Sequence, residues 1–185
     1  METTLEQAKK LLDTNLLSII NINQTFFTEL LAAKGTIINI GSSAAHIPLP
    51  FNAVYCASKA ALYAYSDVMR VELAPLGVKV QCVQVGNVRT NILRDRNHLG
   101  ANSLWAPVSD VFEKRQGIAA TTGDEPAAFA KEFARKLLGG HKNVLWVGED
   151  AWVVRLVNRL EHWLPFQLWP FMWAREYKMG RIKAI

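Results

Sequence analysis

Residues 38–59 read INIGSSAAHIPLPFNAVYCASK and join the end of a β-branched run to the start of an amphipathic segment. The stretch carries two hydroxyls, Ser42 and Ser43, a phenol at Tyr55 and an ammonium at Lys59. Because Tyr55 and Lys59 are four residues apart, a helix that begins near Tyr55 places both side chains on one face. A cation beside a phenol favours the ionised phenol, so this spacing predicts a proton-transfer site.

Regular patterns of apolar residues surround this stretch. Over residues 5–31 they recur at helical spacing and predict one long helix. Thr36–Ile40 and residues 78–85 are short β-branched runs beside turn residues, so each predicts a buried strand. Residues 55–73 between them are amphipathic and are followed by a proline and a glycine, which predicts a crossover helix.

The same order continues along the chain. Residues 92–123 are polar and weakly patterned, and they predict a substrate-covering loop with a short helix. Residues 127–138 predict a further helix, and residues 143–147 predict a third strand. Helices that alternate with strands over short connections predict an α/β fold, with a parallel sheet of about three strands and helices on both faces. Function in such a sheet gathers at the carboxyl ends of its strands, where Ser42 lies.

The chain divides into two regions at about residue 150. Residues 1–150 predict one globular unit, whereas residues 151–185 form an aromatic and basic extension interrupted by two prolines. Two interpretations of this extension stay open. Its aromatic side chains form a core with a solvated basic face, or the extension is a membrane-surface element that makes peripheral contact with lipid.

Composition excludes several classes of protein. With 185 residues, half of them hydrophobic, the chain can bury a core and is not predicted to be disordered. The net charge is +5, but the basic residues are scattered before the C-terminal region, so we expect no nucleic-acid partner. Two cysteines without CxxC spacing, and histidines without acidic residues at ligand spacing, predict no metal site. The N-terminus is typical of a helix rather than a signal peptide, which predicts a cytoplasmic protein.

Several motifs together resemble the catalytic half of the short-chain dehydrogenase/reductase family. Tyr55 and Lys59 form a YxxxK pair followed by the family's ASKAAL-like sequence, and Ser42 lies where the family has its serine. Residues 86–90 match a Gly-x-Val-x-Thr run, and Asn15 falls where the family has its helix asparagine. The resemblance extends over most of the first region. Within the family, the chain is most similar to the fungal acyl-dihydroxyacetone-phosphate reductase branch and to hydroxysteroid dehydrogenases.

The resemblance implies a catalytic set of four residues. Tyr55 would be the general acid or base, and Ser42 would donate a hydrogen bond to the substrate carbonyl oxygen. Lys59 would assist Tyr55 and bind the nicotinamide ribose, while Asn15 would hold a kinked helix and a water that leads to Lys59. Simpler interpretations stay open for each, such as a strand-end cap for Ser42 and a polar helix-surface residue for Asn15.

The cofactor that the resemblance implies is NADP(H), with NAD(H) as the alternative. Its contacts would come from Tyr55, Lys59, Val88 and Thr90. The family's TGxxxGxG turn and NNAG motif do not occur in this sequence, and Val85 stands where many members have proline. The expected fold is therefore a truncated Rossmann-like sheet that lacks the N-terminal βαβ nucleotide-binding units.

Two functions of different classes follow from these features. The first is an NAD(P)H-dependent oxidoreductase that reduces a ketone, or oxidises a secondary alcohol, on a hydrophobic, lipid-like or secondary-metabolite substrate. The second is a catalytically incompetent fragment that acts as a dimerising or membrane-surface binding module. The resemblance also implies a homodimer formed through the long helix and the Tyr55 helix. A lipid-linked role would place the protein at the cytosolic face of the endoplasmic reticulum or at lipid droplets.

Overall fold

The computed structural model describes residues 3–90, 98–100, 102–140, 142–161, 163 and 168–182. Within these ranges the fold is α/β, and three strands form one sheet: β1 (Thr36–Ile40), β2 (Lys79–Val85) and β3 (Val144–Val147). The described helices are α1 (Leu5–Leu12), α2 (Ser18–Thr25), α3 (Phe27–Ala32), α4 (Ala53–Leu73), α5 (Ser109–Thr121), α6 (Pro126–Leu138), α7 (Ala151–Glu161) and α8 (Leu168–Glu176).

The sheet is parallel throughout and has the order β1-β2-β3. Ile38 lies opposite Gln81, and Val83 lies opposite Leu145. The predicted parallel sheet of about three strands is therefore confirmed. Because the strands run the same way, their carboxyl ends meet at one edge.

Helices cover both faces of the sheet, as predicted. Val80 packs with Ile37 and Leu73 in a core that includes side chains of α3 and α4. Val83, three residues further along β2, packs instead with β3 and with Phe129 of α6. Successive side chains of a strand point to opposite faces, so α4 and α6 lie on opposite sides of the sheet.

The prediction of one uninterrupted helix over residues 5–31 is wrong in detail. A π-helical turn over Asp13–Leu17 separates α1 from α2, and Phe26, with φ −98° and ψ 16°, separates α2 from α3. Local side chains account for the irregularity. The hydroxyls of Thr14 and Ser18 donate to backbone carbonyls one turn earlier, at 2.9 and 2.7 Å, and such bonds bend helices.

The region after β2 is more helical than its sequence predicts. Residues 91–97 and 101, which belong to the predicted substrate-covering loop, lie outside the described residues. The following segment forms α5, a helix of 13 residues. Its Val111 and Phe112 are buried against Tyr177, so α5 packs on the C-terminal extension. The sequence predicted only a short helix here, and the packing against Tyr177 stabilises the 13 residues of α5.

Truncation of a core side chain of α4 tests the packing of this helix. Leu62 is fully buried in α4. We expect Leu62→Ala to lower the free energy of unfolding by about 2–5 kcal/mol, because the change removes buried methyl groups and leaves a cavity. Urea unfolding followed by circular dichroism measures it. Leu138→Ala is the matched control, since Leu138 is 85% exposed and should change stability by less than about 0.5 kcal/mol.

Candidate active site

Five of the six predicted site residues lie on three segments that meet at the carboxyl edge of the sheet. Ser42 follows β1 directly and begins a short 3-10 turn, Ser43–Ala45. Tyr55 and Lys59 are in the first turns of α4, which packs against that turn and against β2. Val88 follows the end of β2. The structure thus places the start of α4, the Ser42 turn and the end of β2 beside one another.

Tyr55 and Lys59 lie on one face of α4, as their spacing requires. The Lys59 Nζ is 6.0 Å from the centroid of the Tyr55 ring and donates to the Ile40 carbonyl at 3.1 Å. Burial lowers the pKa of Lys59, and the weaker effect of Cys82 acts in the opposite direction. The ammonium is thus held at the end of β1, beside the phenol.

Asn15 lies in the π-helical turn and connects to the site through a residue that the sequence did not single out. Its Nδ2 donates to Ser58 Oγ at 3.1 Å, and Ser58 Oγ donates to the Tyr55 carbonyl at 2.7 Å. Ser58 is fully buried. The bond to Ser58 fixes the first turn of α4, so Asn15 contacts the backbone of Tyr55 through one intermediate. Single π-helical turns are frequent at functional sites.

Ser42 caps the turn that follows β1. Its Oγ accepts from the Ala44 N–H at 3.1 Å. A hydroxyl has one hydrogen and two lone pairs, so this bond still leaves the Ser42 hydrogen to donate elsewhere. The cap and a hydrogen bond to a substrate are therefore compatible.

Hydrogen bonds to Thr122 and Asp124, which precede α6, hold the segment that contains Val88 and Thr90. Val88 forms an isolated parallel bridge with Asp124, and the Arg89 N–H donates to the Asp124 carbonyl at 3.0 Å. Asn87 adds a side-chain bond from its Nδ2 to Thr122 at 3.0 Å. Thr90 is exposed at the end of this segment.

Gly86 begins the segment because no side chain fits there. A Cβ on Gly86 would lie 2.1 Å from the Glu149 carbonyl oxygen. The neighbouring residue Val85, where many family members have proline, ends β2 in an ordinary parallel pair with Val147. The backbone turn at the end of β2 thus depends on the glycine.

His46 is a second residue that the sequence did not assign to the site. It follows the Ser43–Ala45 turn, and its ring centroid lies 4.8 Å from that of Tyr63 and 5.1 Å from that of Trp146. Its Nε2 is buried without a hydrogen-bond partner. Burial lowers the pKa of His46, while Gln84 and Asp67 act more weakly in the opposite direction. The packing of His46 against Trp146 involves β3, a strand that is distant in sequence.

The polar groups at this edge fit one end of a nicotinamide cofactor. Tyr55 has a hydroxyl here, and Lys59 has an ammonium, the kinds of group that would bind a nicotinamide ribose. Thr90 provides a hydroxyl at the exposed end of the third segment. The glycine-rich turn that would bind a pyrophosphate does not occur in this sequence. Among the described residues, no three His, Cys, Asp or Glu side chains form a metal-holding group.

A parallel sheet with helices on both faces is the architecture of a Rossmann-like fold. The family model described as short chain dehydrogenase matches residues 1–99. This chain belongs to the short chain dehydrogenase family. The matched residues contain Asn15, Ser42, Tyr55 and Lys59.

Similar proteins are longer than this chain. The NADPH-dependent 1-acyldihydroxyacetone phosphate reductase of Schizosaccharomyces pombe is 45% identical over 92 residues, which are 50% of this chain and 31% of the relative. The short-chain dehydrogenase virD of Hypocrea virens is 30% identical over 185 residues, 99% of this chain and 63% of the relative. A short-chain dehydrogenase from Streptomyces avermitilis has a similar fold, with a TM-score of 0.68 at 23% identity, covering 99% of this chain and 65% of that one. The chain thus spans less than two thirds of these proteins.

The burial of His46 predicts a pH-dependent stability. The unfolded chain keeps an ordinary histidine pKa of about 6.5, whereas the folded pKa is lower. Below pH ~6.5 the unfolded state therefore binds more protons, and the free energy of unfolding falls as the pH falls. The slope for one proton is at most about 1.4 kcal/mol per pH unit.

Urea unfolding between neutral pH and about pH 5 measures this slope, since the range covers the ordinary histidine titration. We expect His46→Gln to flatten it. His98→Gln is the matched control, because it removes an imidazole that is 71% exposed rather than buried. An identical slope in the native chain and in His46→Gln would show that another group titrates.

Proposed function

We propose that this chain carries the proton-transfer centre of an NAD(P)H-dependent oxidoreductase that interconverts a ketone and a secondary alcohol. The observation that supports it is the position of Tyr55 and Lys59 on one face of α4, at the carboxyl end of β1. Ser42 lies on the adjoining turn. A phenol, an ammonium and a hydroxyl at one sheet edge are suited to general acid–base chemistry at a carbonyl oxygen.

Each residue has a distinct role in this proposal. A bound nicotinamide would supply or accept the hydride. Tyr55 Oη gives its proton to the carbonyl oxygen during reduction and takes it back during oxidation. Ser42 donates a hydrogen bond to the same oxygen, which stabilises the charge that develops there. Lys59 would bind the nicotinamide ribose beside the phenol, and Asn15 positions the start of α4 through Ser58.

The proposed cofactor is NADPH, and the proposed substrate is a hydrophobic, lipid-like carbonyl compound. The relative from Schizosaccharomyces pombe supports both choices, since it is an NADPH-dependent 1-acyldihydroxyacetone phosphate reductase. Val88 and Thr90 would contact the nicotinamide carboxamide. We also propose a homodimer through the helices of residues 5–31 and α4, and the exposed Val68 and Val71 on α4 are compatible with it.

Removal of one hydroxyl tests the proposed acid. We expect Tyr55→Phe to lower turnover by at least about 10²-fold, because the variant keeps the ring but loses the transferable proton. NADPH oxidation with a panel of hydrophobic ketones measures it, and NADPH fluorescence measures binding separately. Tyr65→Phe is the matched control on the same helix, since the Tyr65 hydroxyl accepts a bond from Asn23 and lies outside the site.

The outcomes separate the proposed mechanism from its alternative. Equal turnover by the native chain and by Tyr55→Phe would show that the phenol is not the acid. Absence of both NADPH binding and turnover in the native chain would favour a non-catalytic binding module. The folded state of each variant is checked by its circular dichroism spectrum.

A peripheral membrane contact through the C-terminal extension belongs to the same proposal. Trp152, Leu156 and Leu160 recur every four residues on α7 and are 67%, 47% and 49% exposed. Arg155 and Arg159 adjoin this stripe on the helix surface. An apolar stripe beside arginines suits a helix that lies in the headgroup region of an anionic membrane. None of the described helices is long and apolar enough to cross a membrane.

Vesicle flotation tests this contact. We expect the native chain to float with phosphatidylcholine vesicles that contain phosphatidylserine. The double variant Trp152→Glu/Leu156→Glu should remain with the dense fraction, because it places carboxylates on the stripe. Leu138→Glu, which changes an exposed leucine on α6, is the control and should float. Equal flotation of all three proteins would contradict the proposed contact.

A further inference from the structure

Phe51 lies in the loop that leads into α4, four residues before Tyr55. Its φ angle is +65°, in the left-handed region that a bulky residue adopts only at an energetic cost. The Asn52 N–H donates to the Leu49 carbonyl at 3.2 Å, and the Cys56 N–H donates to the Asn52 carbonyl at 2.9 Å. The strained residue therefore belongs to the turn from which α4 begins.

Aromatic contacts offset the cost of this conformation. The Phe51 ring centroid lies 4.7 Å from that of Phe112 on α5 and 5.6 Å from that of Tyr177, which follows α8. Trp105 meets the same ring edge-on at 5.9 Å. Aromatic rings at these separations attract one another beyond the effect of their buried area. Phe51 thus joins the loop before α4 to two segments that are distant in sequence.

The segment that carries Tyr177 is itself fixed on α5. Arg181 donates to both carboxylate oxygens of Asp110, at 2.8 and 3.0 Å, and Arg115 pairs with Glu176. Exposed ion pairs contribute little singly, so the buried ring of Tyr177 supplies most of the attachment. These contacts hold the end of the chain beside Phe51 without involving α4.

This aromatic cluster is separate from the packing of the sheet. It contains Val111, Phe112 and Tyr177, with Phe51 and Trp173 packed against them. None of these residues belongs to the two clusters that pack on β1, β2 and β3. Since parts of a protein with separate cores can open independently, loss of the cluster should release the loop and leave the sheet folded.

We infer that Phe51 and Tyr177 are positioning residues, through which the segment after α8 fixes the loop before α4 and thereby the place of Tyr55. Without the Tyr177 ring, less packing offsets the strained φ of Phe51, so the loop relaxes and Tyr55 moves relative to Ser42. The C-terminal extension thus acts on the site without touching the substrate. The effect on turnover rests on the proposed role of Tyr55, but the effect on the loop can be measured without it.

The two cysteines of the chain provide a local reporter. Cys56, the neighbour of Tyr55, is half-buried, and burial raises the pKa of its thiol. Cys82 on β2 is fully buried. Because N-ethylmaleimide reacts with exposed thiolates, opening of the loop labels Cys56 alone, whereas global unfolding labels both cysteines. Peptide mass spectrometry of the full chain measures the two rates separately.

Removal of the Tyr177 ring tests the inference. We expect Tyr177→Ala to speed labelling of Cys56 by at least about tenfold while Cys82 stays protected. Tyr177→Phe keeps the ring and should label at the native rate. Phe171→Ala is the matched control, since Phe171 is a ring on α8 that is 66% exposed, and it should also label at the native rate.

Turnover provides the second measurement. We expect Tyr177→Ala to lower kcat for NADPH oxidation more than it raises KM for NADPH, because Tyr55 moves while the segment after β2 stays in place. Native Cys56 labelling in Tyr177→Ala, or equal labelling of both cysteines, would overturn the inference. Faster Cys56 labelling with unchanged kcat would overturn the positioning of Tyr55. The same labelling result with no turnover by the native chain would support the loop contact and contradict the proposed function instead.

Discussion

The parallel pairing of β1 with β2 is the interaction on which the candidate site depends. It directs the ends of both strands to one edge, where the Ser42 turn and the segment after Gly86 emerge together. α4 connects the two strands and packs against β2, so Tyr55 and Lys59 arrive at that same edge. A change of register in this pair would move Ser42 relative to α4. The relative positions of Ser42, Tyr55 and Lys59 therefore depend on the pairing of the strands.

The sequence predicted the sheet and its main helices because their signals are local. Thr36–Ile40 is a compact β-branched run between turn residues, and α4 and α6 each have an apolar face and a clear end. The broken first helix and the full length of α5 could not be predicted in the same way. Side-chain bonds to carbonyls interrupt the former, and contact with Tyr177 stabilises the latter. Neither effect produces a regular spacing of apolar residues, so neither can be recognised from the sequence.

The same distinction applies to the site. Tyr55, Lys59 and Ser42 form a recognisable spacing, so they could be selected from the sequence. Ser58 could not, because serine is mostly an exposed residue, and its hydrogen bond joins it to Asn15, 43 residues earlier in the sequence. His46 likewise has no distinctive spacing in the sequence, and its contact with Trp146 depends on the position of β3. Residues that act by supporting others become visible only when their partners are known.

One backbone group connects the sheet to the candidate site. The Ile40 carbonyl, the last of β1, accepts from Lys59 Nζ at 3.1 Å. This bond places the ammonium at the carboxyl edge of the sheet, whereas burial lowers the pKa of Lys59 and disfavours its charged form. The end of β1 therefore determines where Lys59 lies, and the packing around α4 determines how readily it is charged.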